Sequence, residues 1–333
     1  MLFSSSQILF ISTLLLGTTL SISSTSWFGA WIGLELNLLS FIPLISSKNN
    51  QYSSEAALKY FLIQALGSSI IIMSASLMLF TTEPTSTLMT IALLLKAGAA
   101  PFHFWFPSVM EGLQWPQAIV LMTVQKIAPL SLLSYLVSTS TQPIFLSAII
   151  LSALIGAVGG INQTLLRKIM AYSSINHMAW MLTAILISET SWLLYFVFYS
   201  FVASSIALLF NYQDSFHISH VFNHTSSSPK IKVITFMSLL SLGGLPPFTG
   251  FIPKWFIIQE MIASSFFFTL FIMLMSALLT LFYYLRISIS ALMVLSPKTK
   301  WSTKAFNHSI STSLMVYINF FGLLSPSLFT LII

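Results

Sequence analysis

The sequence predicts an all-α membrane protein, a polytopic transmembrane helical bundle of about 11 helices. Apolar runs of about 20 residues recur along the 333-residue chain, and an α-helix needs this length to cross a bilayer. Only 6% of the residues are charged and 56% are hydrophobic, which excludes a soluble domain of this size. A transmembrane β-barrel would show segments of about ten residues with alternating polarity instead.

Eleven spans follow from these runs, and two polar connections, near 212–232 and 288–310, are longer than the rest. The first run contains no Lys or Arg, so it predicts a true span and not a cleaved signal. The predicted spans lie at about 4–22, 25–45, 56–80, 86–110, 116–137, 144–160, 169–187, 191–211, 233–261, 263–287 and 311–332.

The fourth and ninth spans are interrupted in their middle. The fourth contains the sequence LKAGAAPFH at 95–103, and the ninth contains SLGGLPPFTG at 241–250. Proline removes a backbone donor, and glycine weakens a helix further. Backbone groups freed in lipid need partners from protein or from a water-filled cavity. Both spans are therefore predicted to be broken helices.

The spacing of the two breaks predicts an inverted repeat. They lie five spans apart, and five is odd, so the second set of helices returns with opposite orientation. We expect one transmembrane domain over 1–333, with repeat one at about 4–137, repeat two at about 144–287 and an extra C-terminal helix at about 311–332.

The loop charges predict the orientation. With the sides numbered alternately from the N-terminus, one side has no basic residue and only the acids Glu83 and Glu189. The positive-inside rule then places the N-terminus on the cytoplasm-equivalent side. The basic residues that collect on the N-terminal side are Lys48, Arg167, Lys168, Lys230, Lys232, Arg286, Lys298, Lys300 and Lys304.

Ionisable residues inside the apolar spans are the candidate functional residues. Glu35 lies in span 2, Lys96 and Lys254 lie beside the two breaks, and Lys126 lies in span 5. A charge at the centre of a span costs about 2.5–3.5 kcal/mol on insertion scales, so such residues are functional candidates by default. We expect the four to form a polar line at mid-membrane depth. Snorkelling lysines or a structural ion pair at Glu35 are the alternatives.

Proton transfer is the chemistry that this residue set favours. Desolvation favours a neutral lysine and a nearby carboxylate favours a charged one, so a buried lysine whose counter-ion comes and goes can load and release a proton. Moving one charge against about 150 mV costs about 3.5 kcal/mol. A change in pKa of about 2.5 corresponds to this energy, and one ion pair made and broken in low dielectric can supply it.

Several further residues are weaker candidates. Lys59 lies about one turn inside the basic side, so snorkelling or pairing with Glu55 is favoured over a relay role. His103, in the first break, either bridges protons between Lys96 and a cavity or is a hydrogen-bonded core histidine, and His177 is similar. The histidines in the 212–232 connection have spacing that suits zinc, but a solvated loop is favoured; they are His217, His220 and His224.

Composition also excludes several classes of function. The chain has no cysteine, which excludes iron–sulfur clusters and thiol chemistry. It has no glycine-rich nucleotide-binding motif. The net charge of +6 is spread over separate loops and forms no basic patch, so we expect no nucleic-acid partner. No cofactor and no metal are predicted to bind this chain.

Six long motifs give the chain a family resemblance. The chain resembles the chain 2 family of animal mitochondrial NADH–ubiquinone oxidoreductase, a family of antiporter-like subunits of the respiratory complex I membrane arm. The motifs are WIGLELNLLSFIPL at 31–44, EAALKYFLIQA at 55–65, LKAGAAPFHFWFP at 95–107, QKIAP at 125–129, GGINQTLLRKIMAYSSINHMAW at 159–180 and SLGGLPPFTGFIPKW at 241–255.

The resemblance implies a role for the buried charges. In that family an acid on one helix pairs with a lysine on the first broken helix, and a further lysine leads to a terminal lysine on the second broken helix. These positions correspond to Glu35, Lys96, Lys126 and Lys254. The resemblance implies proton translocation driven by electron transfer in other subunits, which hold NADH, FMN, iron–sulfur clusters and ubiquinone. Related antiporter-like chains have fourteen core helices, and the resemblance implies that this chain begins at the fourth.

The resemblance also implies a location and partners. It places the chain in the mitochondrial inner membrane, with the N-terminus and the basic loops on the matrix side. Other membrane-arm and accessory subunits of complex I are implied as partners, together with membrane lipids, with cardiolipin as a candidate.

Three other functions compete with this interpretation. A stand-alone cation/proton antiporter would need a carboxylate-rich cation site, and only one clear acid lies in mid-span. A structural scaffold of the membrane arm would use the lysines only to hold partner subunits. A passive channel would need open pore-lining rings and no pair of broken helices.

Overall fold

The computed structural model describes residues 5–46, 50–78, 83–223 and 229–293. Within these residues the chain is helical, and the only β pairing is an isolated bridge between Leu165 and His217. The predicted eleventh span, 311–332, lies outside the described residues, as do Lys48, His224 and the three lysines beyond 293.

The described residues of the first half of the chain form eight helices, which correspond to the first six predicted spans. The fourth and fifth spans each form two helices. They are α1 Ser5–Ser23, α2 Trp27–Ile45, α3 Gln51–Leu77, α4 Glu83–Ala97, α5 Trp105–Gly112, α6 Trp115–Met122, α7 Val124–Ser134 and α8 Gln142–Ile161.

The second half of the described chain contains six helices, and the ninth predicted span forms two of them. They are α9 Leu166–Ile187, α10 Glu189–Tyr212, α11 Ile218–Asn223, α12 Pro229–Gly243, α13 Phe251–Ala263 and α14 Phe267–Met293. Short α11 lies in the polar connection that the sequence predicts near 212–232.

The predicted fold class is confirmed. Seven stretches in the described part of the chain are long and apolar enough to cross a membrane: α1, α2, α3, the α6–α7 pair, α8, α10 and α14. The chain is therefore a multi-pass membrane protein. By contacts it divides into two compact units, 1–152 and 153–333. The division into inverted repeats at about 4–137 and 144–287 stays a prediction.

Small and hydroxylic residues let these helices pack in an apolar solvent. A Cβ atom added to Gly33 on α2 would lie 2.5 Å from the backbone nitrogen of Ser21 on α1, so the two backbones touch only because residue 33 is glycine. Serine and threonine hydroxyls donate back along their own helices, as Ser74 does to Ile71 O at 2.9 Å. This local bond satisfies a hydroxyl that lipid could not.

Helix α9 is the central helix of the second unit. Thirteen consecutive residues, 173–185, are buried, so the helix has no face turned to lipid. Its hydroxyls donate back along α9, as Thr183 does to Trp180 O at 2.7 Å, and the amide of Asn176 donates to Ala153 O on α8 at 3.2 Å. A polar side chain on such a helix must find its partners inside the protein.

Candidate functional site

The first break ends helix α4 with a capped turn. Gly98 has φ +74°, a left-handed conformation that glycine adopts without steric cost. Gly98 N donates to Leu95 O at 3.2 Å, and Ala99 N donates to Leu94 O at 3.1 Å. This pair of bonds is the Schellman motif, which satisfies carbonyls that a helix end leaves free.

Neutral side chains satisfy the last carbonyls of this half-helix as well. Trp105 Nε1 donates to Leu95 O at 3.1 Å, and Gln64 Nε2 donates to Lys96 O at 3.2 Å. The break is therefore stable within the membrane without help from a charged group. The Lys96 side chain is consequently not needed to cap the helix on which it lies.

Lys96 and Lys126 line the same small cavity in the first unit. Their side chains are 5% and 2% exposed. The cavity measures about 10 Å³, which is roughly the room for one water molecule. Lys126 Nζ also lies 4.9 Å from the ring centroid of Phe106, a distance at which the aromatic face attracts an ammonium group.

The structure adds a third interruption that the sequence analysis missed. Predicted span 5 is divided at Thr123, which has φ −113° and ψ −82°, so α6 ends at Met122 and α7 begins at Val124. The Thr123 hydroxyl donates to Ile119 O at 2.7 Å, a local bond that often bends helices. Lys126 therefore lies in the first turn of a helix and not in the middle of a continuous one.

Glu35 is close to this site but forms no ion pair with any residue that the structure describes. One of its carboxylate oxygens, Oε2, is buried with no hydrogen-bond partner among the described residues. It is near enough to Lys96 and Tyr60 to act on both electrostatically, yet it forms no ion pair with Lys96 within 4.0 Å. The pairing implied by the family resemblance stays a prediction.

The second break has the same backbone but a different cap. Gly244 has φ +78°, and its nitrogen donates to Ser241 O at 3.0 Å while Leu245 N donates to Leu240 O at 3.4 Å. This is a second Schellman motif. Helix α12 ends here, and α13 begins at Phe251.

Lys254 caps the end of α12. Its Nζ donates to Gly243 O at 3.0 Å and to Leu242 O at 3.3 Å. The side chain is 6% exposed, and Nζ lies 5.9 Å from the Trp180 ring centroid. A cation at a helix C-terminus is stabilised by the carbonyl dipoles. Lys254 follows its break whereas Lys96 precedes its own, so the two lysines have different positions relative to the breaks.

The weaker candidates have separate surroundings. His177 Nδ1 lies 2.8 Å from the Tyr195 hydroxyl, and His177 lines a second cavity of about 10 Å³. His103 is buried, with Nδ1 3.2 Å from Pro101 O, and it does not line the cavity of Lys96. Lys59 contacts Glu55 at 2.6 Å on an exposed face of α3, which is the partner that the sequence favours.

Four neutral polar residues at the first cavity were missed by the sequence analysis. Asn37, Tyr60, Gln64 and Gln125 line it together with the two lysines. A signal was present, because each is a hydrogen-bonding residue inside an apolar span and Gln125 directly precedes Lys126. A search for charged residues alone does not find these neutral side chains.

Comparisons with known proteins identify the family. The family described as NADH:quinone oxidoreductase/Mrp antiporter, TM, matches residues 24–87 and 84–280. NADH-ubiquinone oxidoreductase chain 2 of Anopheles gambiae is 47% identical over 319 residues, covering 93% of each chain. The Aedes aegypti protein of the same name is 48% identical over 333 residues, covering 97% of each chain.

Solved structures share the fold at lower identity. A chain of respiratory complex I from Thermus thermophilus with bound aureothin has a TM-score of 0.84 and 22% identity, over 97% of this chain and 78% of that one. A chain of the archaeal membrane-bound sulfane sulfur reductase has a TM-score of 0.84 and 17% identity, over 96% and 73%. With the sequence matches, these show that the chain belongs to the NADH-ubiquinone oxidoreductase chain 2 family.

Proposed function

We propose that this chain translocates protons through a relay of Glu35, Lys96, Lys126 and Lys254, as a membrane-arm subunit of complex I. One observation carries the proposal: Lys96 and Lys126 are both buried and line one cavity with room for about a single water molecule. A water there can join the two amines through hydrogen bonds. Electron transfer in other subunits supplies the energy.

Glu35 is the residue through which a signal reaches the lysines. Its carboxylate is close enough to influence Lys96 but forms no ion pair with it. A carboxylate that approaches favours the charged amine, and one that withdraws favours the neutral amine. A small movement of α2 or α4 therefore changes the proton affinity of Lys96, and this change is the elementary step of the relay.

Of the three lysines, Lys254 is held most firmly in its charged form. Its ammonium donates to two carbonyls of α12, which an uncharged amine would satisfy less strongly. We assign it to the terminal position of the relay because the family resemblance does so. The same contacts also favour a second candidate function for this residue alone, which is structural support of the second break.

The proposed location is the mitochondrial inner membrane, with the basic loops on the matrix side. Two basic residues of the second unit lie near the connection between α8 and α9, which supports their placement on one side of the membrane. Arg286 Nη1 donates to Ile161 O, at the end of α8, at 2.8 Å. The guanidinium of Arg167, in the first turn of α9, lies 4.8 Å from the Phe216 ring centroid. The proposed partners are the other complex I membrane-arm and accessory subunits. Anionic lipids, including cardiolipin, suit the same basic surface.

The test is proton pumping per electron pair in complex I that carries Lys126→Met. Methionine keeps most of the length of the side chain and removes the titrating amine. We expect normal assembly with reduced turnover or reduced pumping. Lys232→Met, which removes a half-buried lysine at the start of α12, is the matched control. Full pumping by the assembled Lys126→Met complex would contradict the relay.

A further inference from the structure

A chain of two hydrogen bonds crosses the first unit beside the lysine cavity. The Tyr60 hydroxyl on α3 donates to Gln125 Oε1 on α7 at 3.1 Å, and Gln125 Nε2 donates to Asn37 Oδ1 on α2 at 2.9 Å. Three separate helices are therefore joined through one amide side chain. We call Asn37, Tyr60 and Gln125 the amide lock.

The lock occupies a fixed place in a dense core. Asn37 and Tyr60 are each 2% exposed. The Tyr60 ring packs edge-on against Phe41 at 5.2 Å between centroids and lies 5.9 Å from the ring of Trp105. Two aromatic neighbours leave its hydroxyl little freedom to turn away, so the direction of the bond to Gln125 is determined by packing.

Gln125 lies where helix α7 is least supported by its own backbone. The interruption at Thr123 places Val124, Gln125 and Lys126 in the first turn of α7. The first backbone N–H groups of a helix have no partners within it. Lys126 N donates to Thr123 O, which lies outside α7, at 3.0 Å. Side-chain bonds from Gln125 to two neighbouring helices therefore anchor the turn that carries Lys126.

The chemistry of the three side chains indicates positioning and not proton carriage. Amides do not titrate, and the single tyrosine proton is already donated to Gln125. All three line the cavity shared by Lys96 and Lys126. Asn37 is also two residues from Glu35 on α2, so a movement of that helix is transmitted to Gln125 through one hydrogen bond.

We propose that the amide lock positions Lys126 against its cavity and couples the α2 segment carrying Glu35 to the α7 segment carrying Lys126. The inference rests on the proposed relay for its functional meaning. Its structural part, an anchored first turn of α7, is independent of the relay. Gln125, Tyr60 and Asn37 are positioning residues, because they act through Lys126.

The test compares three variants in assembled complex I: Tyr60→Phe, Gln125→Met and the double variant. Hydrogen–deuterium exchange is measured in segment 115–134. We expect exchange near 123–126 to be about fivefold faster in Tyr60→Phe, the change expected when one net hydrogen bond is lost from an opening equilibrium. It should be faster still in Gln125→Met, which removes both bonds. The double variant should be no faster than Gln125→Met, because both bonds pass through Gln125.

A second readout separates positioning from mere support. The pH profile of protons pumped per electron pair should shift in Tyr60→Phe and Gln125→Met. Tyr52→Phe is the matched control, because it makes the same substitution on the same helix, α3, at a tyrosine that is 74% exposed. It should change neither readout.

Each result that departs from these expectations contradicts one part of the proposal. Unchanged exchange in Tyr60→Phe, or additive effects in the double variant, would overturn the lock. Faster exchange with an unmoved pH profile would overturn its positioning role. Faster exchange together with full pumping in Lys126→Met would overturn the relay and leave the lock as a structural device.

Discussion

The two broken helices have one backbone design and two different uses of lysine. Each first half-helix ends in a Schellman motif at a left-handed glycine, Gly98 in the first break and Gly244 in the second. In the first, neutral donors from Trp105 and Gln64 reach the freed carbonyls. In the second, the ammonium of Lys254 does so.

The difference shows that the role of a lysine beside a break cannot be inferred from its distance to the break in the sequence. Its role depends on what its amine contacts. Lys254 is bound to carbonyl oxygens that stabilise its charge. Lys96 leaves the carbonyls to other residues and shares a cavity with Lys126. Under the proposed relay, the first break suits exchange of a proton with a neighbouring lysine, whereas the contacts of Lys254 favour its charged form.

The largest expected effect on stability comes from Lys254→Met. It leaves two buried carbonyls with fewer donors, and an unsatisfied buried group costs about 1–3 kcal/mol. Lys96→Met should cost much less, because Trp105 and Gln64 still cap α4. Thermal unfolding of the assembled complex measures both. Equal destabilisation by the two variants would remove the distinction between the breaks.

Trp105→Phe tests the neutral cap of the first break. It deletes the indole donor to Leu95 O, which keeps its bond from Gly98 N, and should lower stability by about 0.5–1.5 kcal/mol, the net contribution of one hydrogen bond. The matched control is Trp255→Phe in α13, where the side chain is 45% exposed. The measurement is again the unfolding temperature, and similar shifts in both variants would show that the indole bond is unimportant.

Gly67→Ala tests the placement of Lys96 with a single methyl group. A Cβ atom at Gly67 on α3 would lie 2.9 Å from Lys96 Cγ, so the lysine stem must move. We expect fewer protons pumped per electron pair with a loss of stability of about 1 kcal/mol, the low end for overpacking, because the added methyl group displaces a flexible side chain. Gly243→Ala, whose added Cβ meets nothing nearer than 3.7 Å, is the control. Unchanged pumping in Gly67→Ala would mean that the position of Lys96 is not critical.

Lys59→Met should have the smallest effect. The Lys59–Glu55 pair is at 2.6 Å, but the two side chains are 46% and 60% exposed, and such pairs contribute about 0–1 kcal/mol. Pumping and unfolding temperature should both stay close to those of the unmodified complex. A loss of pumping as large as that of Lys126→Met would place Lys59 in the relay.

The helices could be predicted from sequence because each depends on a local pattern. The ten predicted spans within the described residues all correspond to helices, and the Gly and Pro clusters correctly located the two breaks. The sequence could also single out Lys96, Lys126 and Lys254, because charge in an apolar run is rare and costly.

The contacts of the site could not be predicted in the same way. That Gln125 meets Tyr60 and Asn37, residues 65 and 88 positions away, depends on the packing of three helices, which no local pattern encodes. The interruption at Thr123 was missed because a single threonine with a back-bonded hydroxyl looks like an ordinary helical residue. The capping role of Lys254 could not be predicted, because it depends on the direction in which the side chain crosses the break.

The most direct test of the central claim is a double-variant cycle on protons pumped per electron pair, with Lys96→Met, Lys126→Met and both together in assembled complex I. If the two lysines exchange a proton through their shared cavity, each single variant interrupts the same path, and the double variant should pump no worse than the more severe single one. Effects that add independently, or full pumping in all three, would contradict a relay through this cavity.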